Sequence, residues 1–268
     1  MNYSKDINSY ETPQNVKRAL CDILLFGSRW YLLYKFIQSV FNLVHKLKTK
    51  VNEDPYMLTS QSGQDIINIT EACQGKIYID GLENLKELKE PVIIIGNHMS
   101  LLETFILPGI VFPHFKATFV VKTQLKTMKV FGKIMSALKA IGVDRKNPKD
   151  DFTAVINQGT ELLKNGISVI IFPQSTRIDY FDISQFNSIG VKLAKAANVK
   201  IIPLAVRSDF LSCGKILRDF GPLKRECPIR FSFGKPIEVS GTGKEQHNQV
   251  VEFIKDKMQK WNVKIVDK

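Results

Sequence analysis

Two short stretches bring together side chains able to do chemistry. In PVIIIGNHMSLLETF, residues 91–105, an apolar run is followed by His98 and, five positions on, by Glu103. A base and a carboxylate thus share the end of what reads as a buried strand. A histidine at a strand end is also a common structural residue, so this pair alone decides nothing. The second stretch is IIFPQSTR, residues 170–177. Another apolar strand ends there, and Gln174, Ser175, Thr176 and Arg177 follow. Small hydroxyl residues and free backbone N–H groups beside a guanidinium suit a phosphate. The same residues would also make a polar turn whose arginine pairs with a surface carboxylate.

The elements that must carry these residues alternate along the chain. Strands are expected at 76–80, 92–96, 117–121, 168–172, 200–206 and 229–233, and helices at 100–111, 124–139, 150–165, 187–197 and 244–261. That alternation predicts an α/β fold with a mostly parallel mixed sheet flanked by helices. Ligands in such sheets sit beyond the carboxyl ends of the strands, which is where His98 and Arg177 fall. Residues 119–145, FVVKTQLKTMKVFGKIMSALKAIGVDR, read as a basic amphipathic helix. Lys122, Lys126, Lys129 and Lys133 recur at helical spacing, and a second arginine, Arg145, closes the segment. Pro203 inside KIIPLAV is unusual for a central strand, and predicts either an edge strand or a backbone opened towards a ligand.

Residues 23–44, ILLFGSRWYLLYKFIQSVFNLV, are the most apolar stretch. Ten Leu, Ile, Val and Phe residues between 23 and 41 favour membrane insertion by roughly 3–6 kcal/mol. Arg29 and Lys35 oppose it by about 5–7 kcal/mol. One straight helix would be polar on two sides, so a break between Gly27 and Lys35 is expected, with Trp30, Tyr31 and Tyr34 at headgroup level. The reading is an in-plane amphipathic helix or helical hairpin, with a helix capping a soluble core as the alternative. Residues 1–51 are therefore expected to form an N-terminal membrane-associating segment and 52–268 the α/β domain, with the polar stretch 52–65 as linker.

The chain has 268 residues, 38 Lys and Arg against 26 Asp and Glu, and a net charge of +12. Such an excess points to an anionic partner: a membrane surface, a nucleic acid or a phosphorylated substrate. The plain alternative is a basic surface without a dedicated partner. No RNP, helix-turn-helix or zinc spacing supports a nucleic-acid binder. The four cysteines lack CxxC spacing and read as reduced thiols of a cytosolic protein. No metal site is expected, and GTGK at 241–244 lacks the remainder of a P-loop. The polar opening MNYSKDINSYETPQN does not read as a cleavable signal peptide.

Four blocks in order carry a family resemblance: NH-xxxx-acid at 97–103, a basic block ending in Gly-Val-Asp-Arg, FPQSTR, and Ile-Pro-hydrophobic-Ala at 202–205. Together they resemble the glycerolipid acyltransferase superfamily, and within it the 1-acylglycerol-3-phosphate acyltransferases, over about residues 75–235. The resemblance implies a phospholipid-biosynthetic O-acyltransferase without a cofactor, at the cytoplasmic face of a membrane. Its partners would be an acyl thioester (acyl-CoA or acyl-carrier protein), a lysophospholipid and an anionic membrane surface. By the same resemblance His98 is the general base and Glu103 its orienting acid, while Ser100 serves local hydrogen bonding. Arg177, with Gln174, Ser175 and Thr176, would bind the acceptor, and Lys122 and Arg145 would be further phosphate contacts. Leu101, Leu102, Phe105, Ile106 and the apolar side of 125–138 would line the acyl groove, or simply pack the core. The sequence departs from the family pattern at Glu103, usually Asp, and at Gln174 and Ser175, where FPEGTR is usual. These departures leave open a different lysophospholipid or hydroxylated lipid as acceptor, or a lipid-binding relative without activity.

Overall fold

The computed structural model describes residues 8–174, 176–214 and 219–267. In chain order its elements begin with β1 (Tyr10–Glu11), α1 (Leu20–Leu24), α2 (Arg29–Thr49), α3 (Pro55–Ala72), β2 (Ile77–Asp80) and α4 (Glu83–Lys86). Then come β3 (Ile93–Gly96), α5 (Leu102–Val111), β4 (Ala117–Lys122), α6 (Thr123–Thr127), α7 (Phe131–Ala137), β5 (Ile141–Val143) and α8 (Pro148–Lys164). The chain closes with β6 (Ser168–Ile171), β7 (Phe181–Asp182), α9 (Ile189–Ala197), β8 (Ile201–Arg207), β9 (Ile229–Phe233), α10 (Lys244–Lys260) and β10 (Ile265–Val266).

The main sheet has the strand order β1-β2-β9-β8-β3-β6-β4-β5. Its pairs are parallel except β1 with β2 and β8 with β9. The expected α/β class with a mostly parallel mixed sheet is therefore what the chain forms. Strand β3 sits in the middle and is buried along its whole length, as a strand covered on both faces must be. Its side chains alternate between two cores. Ile94 joins the cluster under α2, α3 and α5, while Ile93 and Ile95 join the one under α8, α9 and α10. The chain leaves β3 towards β4, returns to β6, and then crosses to β8 on the other flank of β3. That reversal opens a crevice at the carboxyl ends of β6, β3 and β8.

Several expectations need correction. The stretch 52–65 is not a linker, because α3 starts at Pro55. Asp54 caps it, accepting the Tyr56 N–H at 3.0 Å, and proline suits the first helical position. Its polarity misled because this helix packs through small residues. A Cβ on Gly63 would lie 2.3 Å from the backbone nitrogen of Gly109 in α5, and one on Gly109 would lie 2.7 Å from the carbonyl carbon of Gly63. The two backbones touch there, and that contact holds α5 in place.

The basic segment is two short helices, α6 and α7, rather than one helix over 124–139. Gly132 packs against the Lys126 carbonyl, where a Cβ would lie 2.4 Å from the oxygen. Pro203 lies in an interior strand, so the edge reading fails, and so does the opening towards a ligand. The Ile201 N–H points to Ile237, so the missing N–H of Pro203 would point to the same side. There β9 has given way to residues 234–236, and the Pro203 carbonyl still accepts the Gly234 N–H at 2.8 Å. Proline thus stands where the regular pairing of β8 with β9 ends, between Leu204 opposite Phe233 and Ile201 opposite Ile237.

The N-terminal helical region does break, at 25–28, just ahead of most of the expected window. Phe26 and Gly27 both take left-handed backbone there. A buried Asp22 anchors the break, bound by Arg18 at 2.6 Å and by Arg225 at 3.0 Å. Leu32, Phe36, Val40 and Leu43 of α2 are buried in the core.

Candidate active site

The crevice is built from the ends of three neighbouring strands. Asn97 follows β3, and its side chain continues the sheet where the backbone stops. Its Nδ2 donates to the Val206 carbonyl at 2.8 Å and its Oδ1 accepts the Val206 N–H at 2.8 Å. The amide thus stands in for a peptide group against β8. With that bond supplied, the backbone at His98 is free to turn out of the sheet. The His98 N–H donates to Gln174 Oε1 at 2.9 Å, and the His98 carbonyl accepts the Ile178 N–H at 3.2 Å. The loop after β6 is in this way tied to the loop after β3.

Glu103 stands in the first turn of α5, where a negative charge is favoured by the helix dipole. It is fully buried and surrounded by donors. His98 Nδ1 lies 2.8 Å from its Oε1, which also accepts the Met99 N–H at 2.7 Å and the Ser100 N–H at 3.0 Å. Its Oε2 accepts the Ser100 hydroxyl at 3.0 Å and the Ser208 hydroxyl. Burial pushes this carboxyl up. His98, Ser208 and the Met99 N–H outweigh that, and hold it below the ordinary glutamate range. An ionised Glu103 accepts only, so the shared proton sits on His98 Nδ1 and leaves Nε2 with a lone pair. The His98 ring stacks on Phe172, with centroids 4.6 Å apart and planes 12° apart, and its side chain is 15% exposed.

The residues expected to bind an acceptor are brought to the same end of the sheet, in unequal ways. Gln174 is buried beneath His98 and, among the described residues, its Nε2 has no hydrogen-bond partner. Arg177 is ion-paired with Asp219 at 2.5 Å. Arg145 sits in left-handed backbone (φ +60°) in the loop after β5, and its N–H donates to Asp151 at 2.8 Å. Burial lowers the Arg145 pKa, Asp151 opposes this, and Arg177 lowers it further. The two guanidiniums are therefore close enough to repel. Lys122 is exposed at the end of β4, opposite Val143 of β5. Thr176 is half-buried in the same loop. Ser175 lies outside the described residues.

Ser100 does serve local bonding, accepting the Leu102 N–H at 3.1 Å. Leu102 and Ile106 are core residues, while Leu101 and Phe105 are partly buried against the same cluster. Two positioning residues escaped the sequence reading. Asn97 was part of a motif but had no assigned role. Ser208 has no local signal at all, since only the register of β8 on β3 brings it to Glu103.

Comparison with known proteins adds independent findings. Residues 76–207 match the family model described as Acyltransferase. A Pseudomonas aeruginosa protein named 1-acyl-sn-glycerol-3-phosphate acyltransferase is 37% identical over 138 residues, 51% of this chain and 52% of that one. A Saccharomyces cerevisiae protein of the same name is 28% identical over 185 residues, 68% of this chain and 58% of that one. The chain spans about half the length of the curated relatives it matches. The crystal structure of the 1-acyl-sn-glycerophosphate acyltransferase PlsC from Thermotoga maritima aligns with a TM-score of 0.68 at 17% identity. It covers 92% of this chain and 99% of that one, and supports the fold.

Proposed function

Since residues 76–207 match the acyltransferase family model, we propose that the protein transfers an acyl chain from a thioester to the free hydroxyl of a lysophospholipid. The acceptor most consistent with the relatives' names is 1-acylglycerol-3-phosphate, which would give phosphatidate. The observation that carries this reading is the His98–Glu103 pair at 2.8 Å, at the carboxyl end of the central strand. His98 Nε2 removes the hydroxyl proton as the oxygen attacks the thioester carbonyl carbon. Glu103 holds the Nδ1–H tautomer and stabilises the imidazolium that forms. Collapse of the tetrahedral intermediate breaks the C–S bond, and the imidazolium returns the proton to the leaving sulfur. The substrate hydroxyl takes the place of a serine nucleophile, so no acyl-enzyme forms. Arg177 and Arg145, with Lys122 and Thr176 nearby, offer cationic and polar groups for the acceptor phosphate.

The test is incubation of the full chain with acyl-CoA or acyl-carrier protein and a panel of lysophospholipids, with products read by mass spectrometry. A new diacyl product, largest with lysophosphatidate, is expected. Silence across the panel from folded, membrane-bound protein would favour a lipid-binding relative without activity.

Residues 1–51 are proposed to hold the enzyme on the cytoplasmic surface of a membrane as a monotopic or peripheral protein. The support is a stripe on α2, Trp30, Tyr34, Ile37 and Phe41, exposed on the side away from the core. Leu20 and Leu24 of α1 are exposed as well, and Phe26 in the break is 98% exposed. Exposed large apolar side chains in such number mark a contact. Among the described residues no helix is long and apolar enough to cross a membrane, and the net charge of +12 suits an anionic surface. Phe26→Glu with Trp30→Glu should release the protein from floating anionic vesicles by about ten-fold in partition. Undiminished flotation of that variant would remove this assignment.

A further inference from the structure

We propose that the groove running from Phe172 along the N-termini of α8 and α9 seats the phosphorylated pantetheine arm of the acyl donor, an inference that rests on the acyltransferase reading above. The groove has a volume of about 610 Å³, in the range of sites for small organic ligands. One end is formed by Phe172 and Gln174. Phe172 also carries the His98 ring, with centroids 4.6 Å apart, so this end lies one ring away from the reacting histidine. Further along, the lining includes Arg145, Lys149 and Lys192, with the Lys192 ammonium 5.5 Å from the centre of the Phe152 ring. Asp151 is the carboxylate on this wall, and its two oxygens are taken up by the N–H groups of Asp144 and Arg145. The wall is therefore net cationic.

Two helices begin here, of 17 and 9 residues. Asn147 caps one, accepting the Lys149 N–H at 3.1 Å. Asn187 holds the start of the other, accepting the Ile189 N–H at 3.0 Å and donating to the Pro173 carbonyl at 2.5 Å. Helix N-termini beside two lysines suit phosphate oxygens. An independent observation points to a ligand with more than phosphate. Gln174 is 1% exposed, its Oε1 is fixed by the His98 N–H, and its Nε2 has no partner among the described residues. A buried amide donor without an acceptor is costly. A pantetheine arm carries two amide carbonyls that could satisfy it, a phosphate at one end and the thioester at the other. The groove offers matching groups: cations on its wall, and an amide donor at the end that Phe172 and Gln174 form, with His98 stacked on Phe172. An acceptor headgroup has no such length, and Arg177, which lies off the groove's wall, is left to meet it.

The shared chemistry is phosphopantetheine, which acyl-CoA and acyl-carrier protein both carry. The test compares the full chain with Lys149→Glu/Lys192→Glu, using acyl-CoA, acyl-carrier protein and acyl-pantetheine, which lacks the phosphates. Calorimetry with CoA alone measures binding without turnover. The apparent KM for acyl-CoA and the Kd for CoA should both rise about ten-fold or more. The loss should be confined to phosphorylated donors. A parallel rise with acyl-carrier protein assigns the lysines to the phosphate common to both donors, and an effect on acyl-CoA alone assigns them to the nucleotide phosphates. Either supports the seat. Unchanged CoA binding in a variant with wild-type circular dichroism overturns it. So does an equal rise with acyl-pantetheine, or a rise in the lysophospholipid KM in place of the donor's. Should the wild type bind CoA at these lysines yet acylate nothing, the seat stands and the acyltransferase reading falls.

Discussion

Replacing His98 with alanine should lower acyl transfer by about 10²–10⁴-fold, the usual contribution of a positioned general base. The fold should survive. The two backbone bonds of residue 98, from its N–H to Gln174 and from Ile178 to its carbonyl, do not depend on the imidazole. Glu103 would lose one donor and keep the Met99 and Ser100 N–H groups and the hydroxyls of Ser100 and Ser208. The side chain is itself partly exposed, so removing it leaves no large sealed cavity. Initial rates by mass spectrometry, beside circular dichroism and a denaturant midpoint, separate chemistry from stability. A variant that keeps a tenth or more of the wild-type rate would show that another group removes the proton. Loss of rate with a matching loss of helix signal would show only misfolding. The discriminating result is a folded protein that does not turn over.

What could be read from the sequence was whatever depends on period and order. The run VIIIG reads as a covered strand because every side chain in it is apolar, and β3 is indeed buried on both faces. The pairing of His98 with Glu103 was legible as a motif, and the geometry answers the question raised by glutamate in place of aspartate. Glu103 starts from the first turn of α5, and from there the longer side chain reaches Nδ1 at 2.8 Å while both oxygens keep other donors. What failed to show were contacts made through small or missing groups. The start of α3 looks polar because its contact with α5 is made by Gly63 against Gly109, and absent side chains carry no hydrophobic signal, while Ile66 and Ile67 of the same helix lie beyond that stretch. Pro203 looked anomalous because strand rules assume every N–H is needed, and here the neighbouring strand has already departed. Ser208 is 105 residues from Glu103, and no local pattern can announce a bond set by strand register. Gln174 shows the converse. The sequence flagged it as a departure from the family pattern, while the structure shows one amide atom engaged and the other, among the described residues, left unpaired.

Replacing Glu103 with glutamine should cost both rate and stability, with a pH dependence that distinguishes its charge from its shape. Every group around this carboxylate is turned towards it as a donor: two backbone N–H groups, the His98 ring and two hydroxyls. An amide brings its own N–H donors into that set, so some donors must face each other or turn away. If the amide nitrogen faces His98, the imidazole is held in the wrong tautomer. If the oxygen faces it, the tautomer is right but the imidazolium loses its counter-charge. Either arrangement should lower kcat by about 10²–10⁴-fold. Leaving the donors around this buried site without their carboxylate should also destabilise the fold by about 2 kcal/mol at neutral pH. The sign with pH follows from the lowered pKa of Glu103 in the folded protein. A depressed carboxyl contributes stability that is complete above the ordinary glutamate range, and loses it as pH falls through the folded value. Urea midpoints should therefore differ most between wild type and Glu103→Gln near pH 7 and converge in acid below about pH 4. A gap that stays constant across that range would mean that shape and packing, rather than the charge of Glu103, supply its stability. A rate loss that Glu103→Asp restores, with the acid-side convergence intact, would assign the catalytic contribution to the carboxylate on His98.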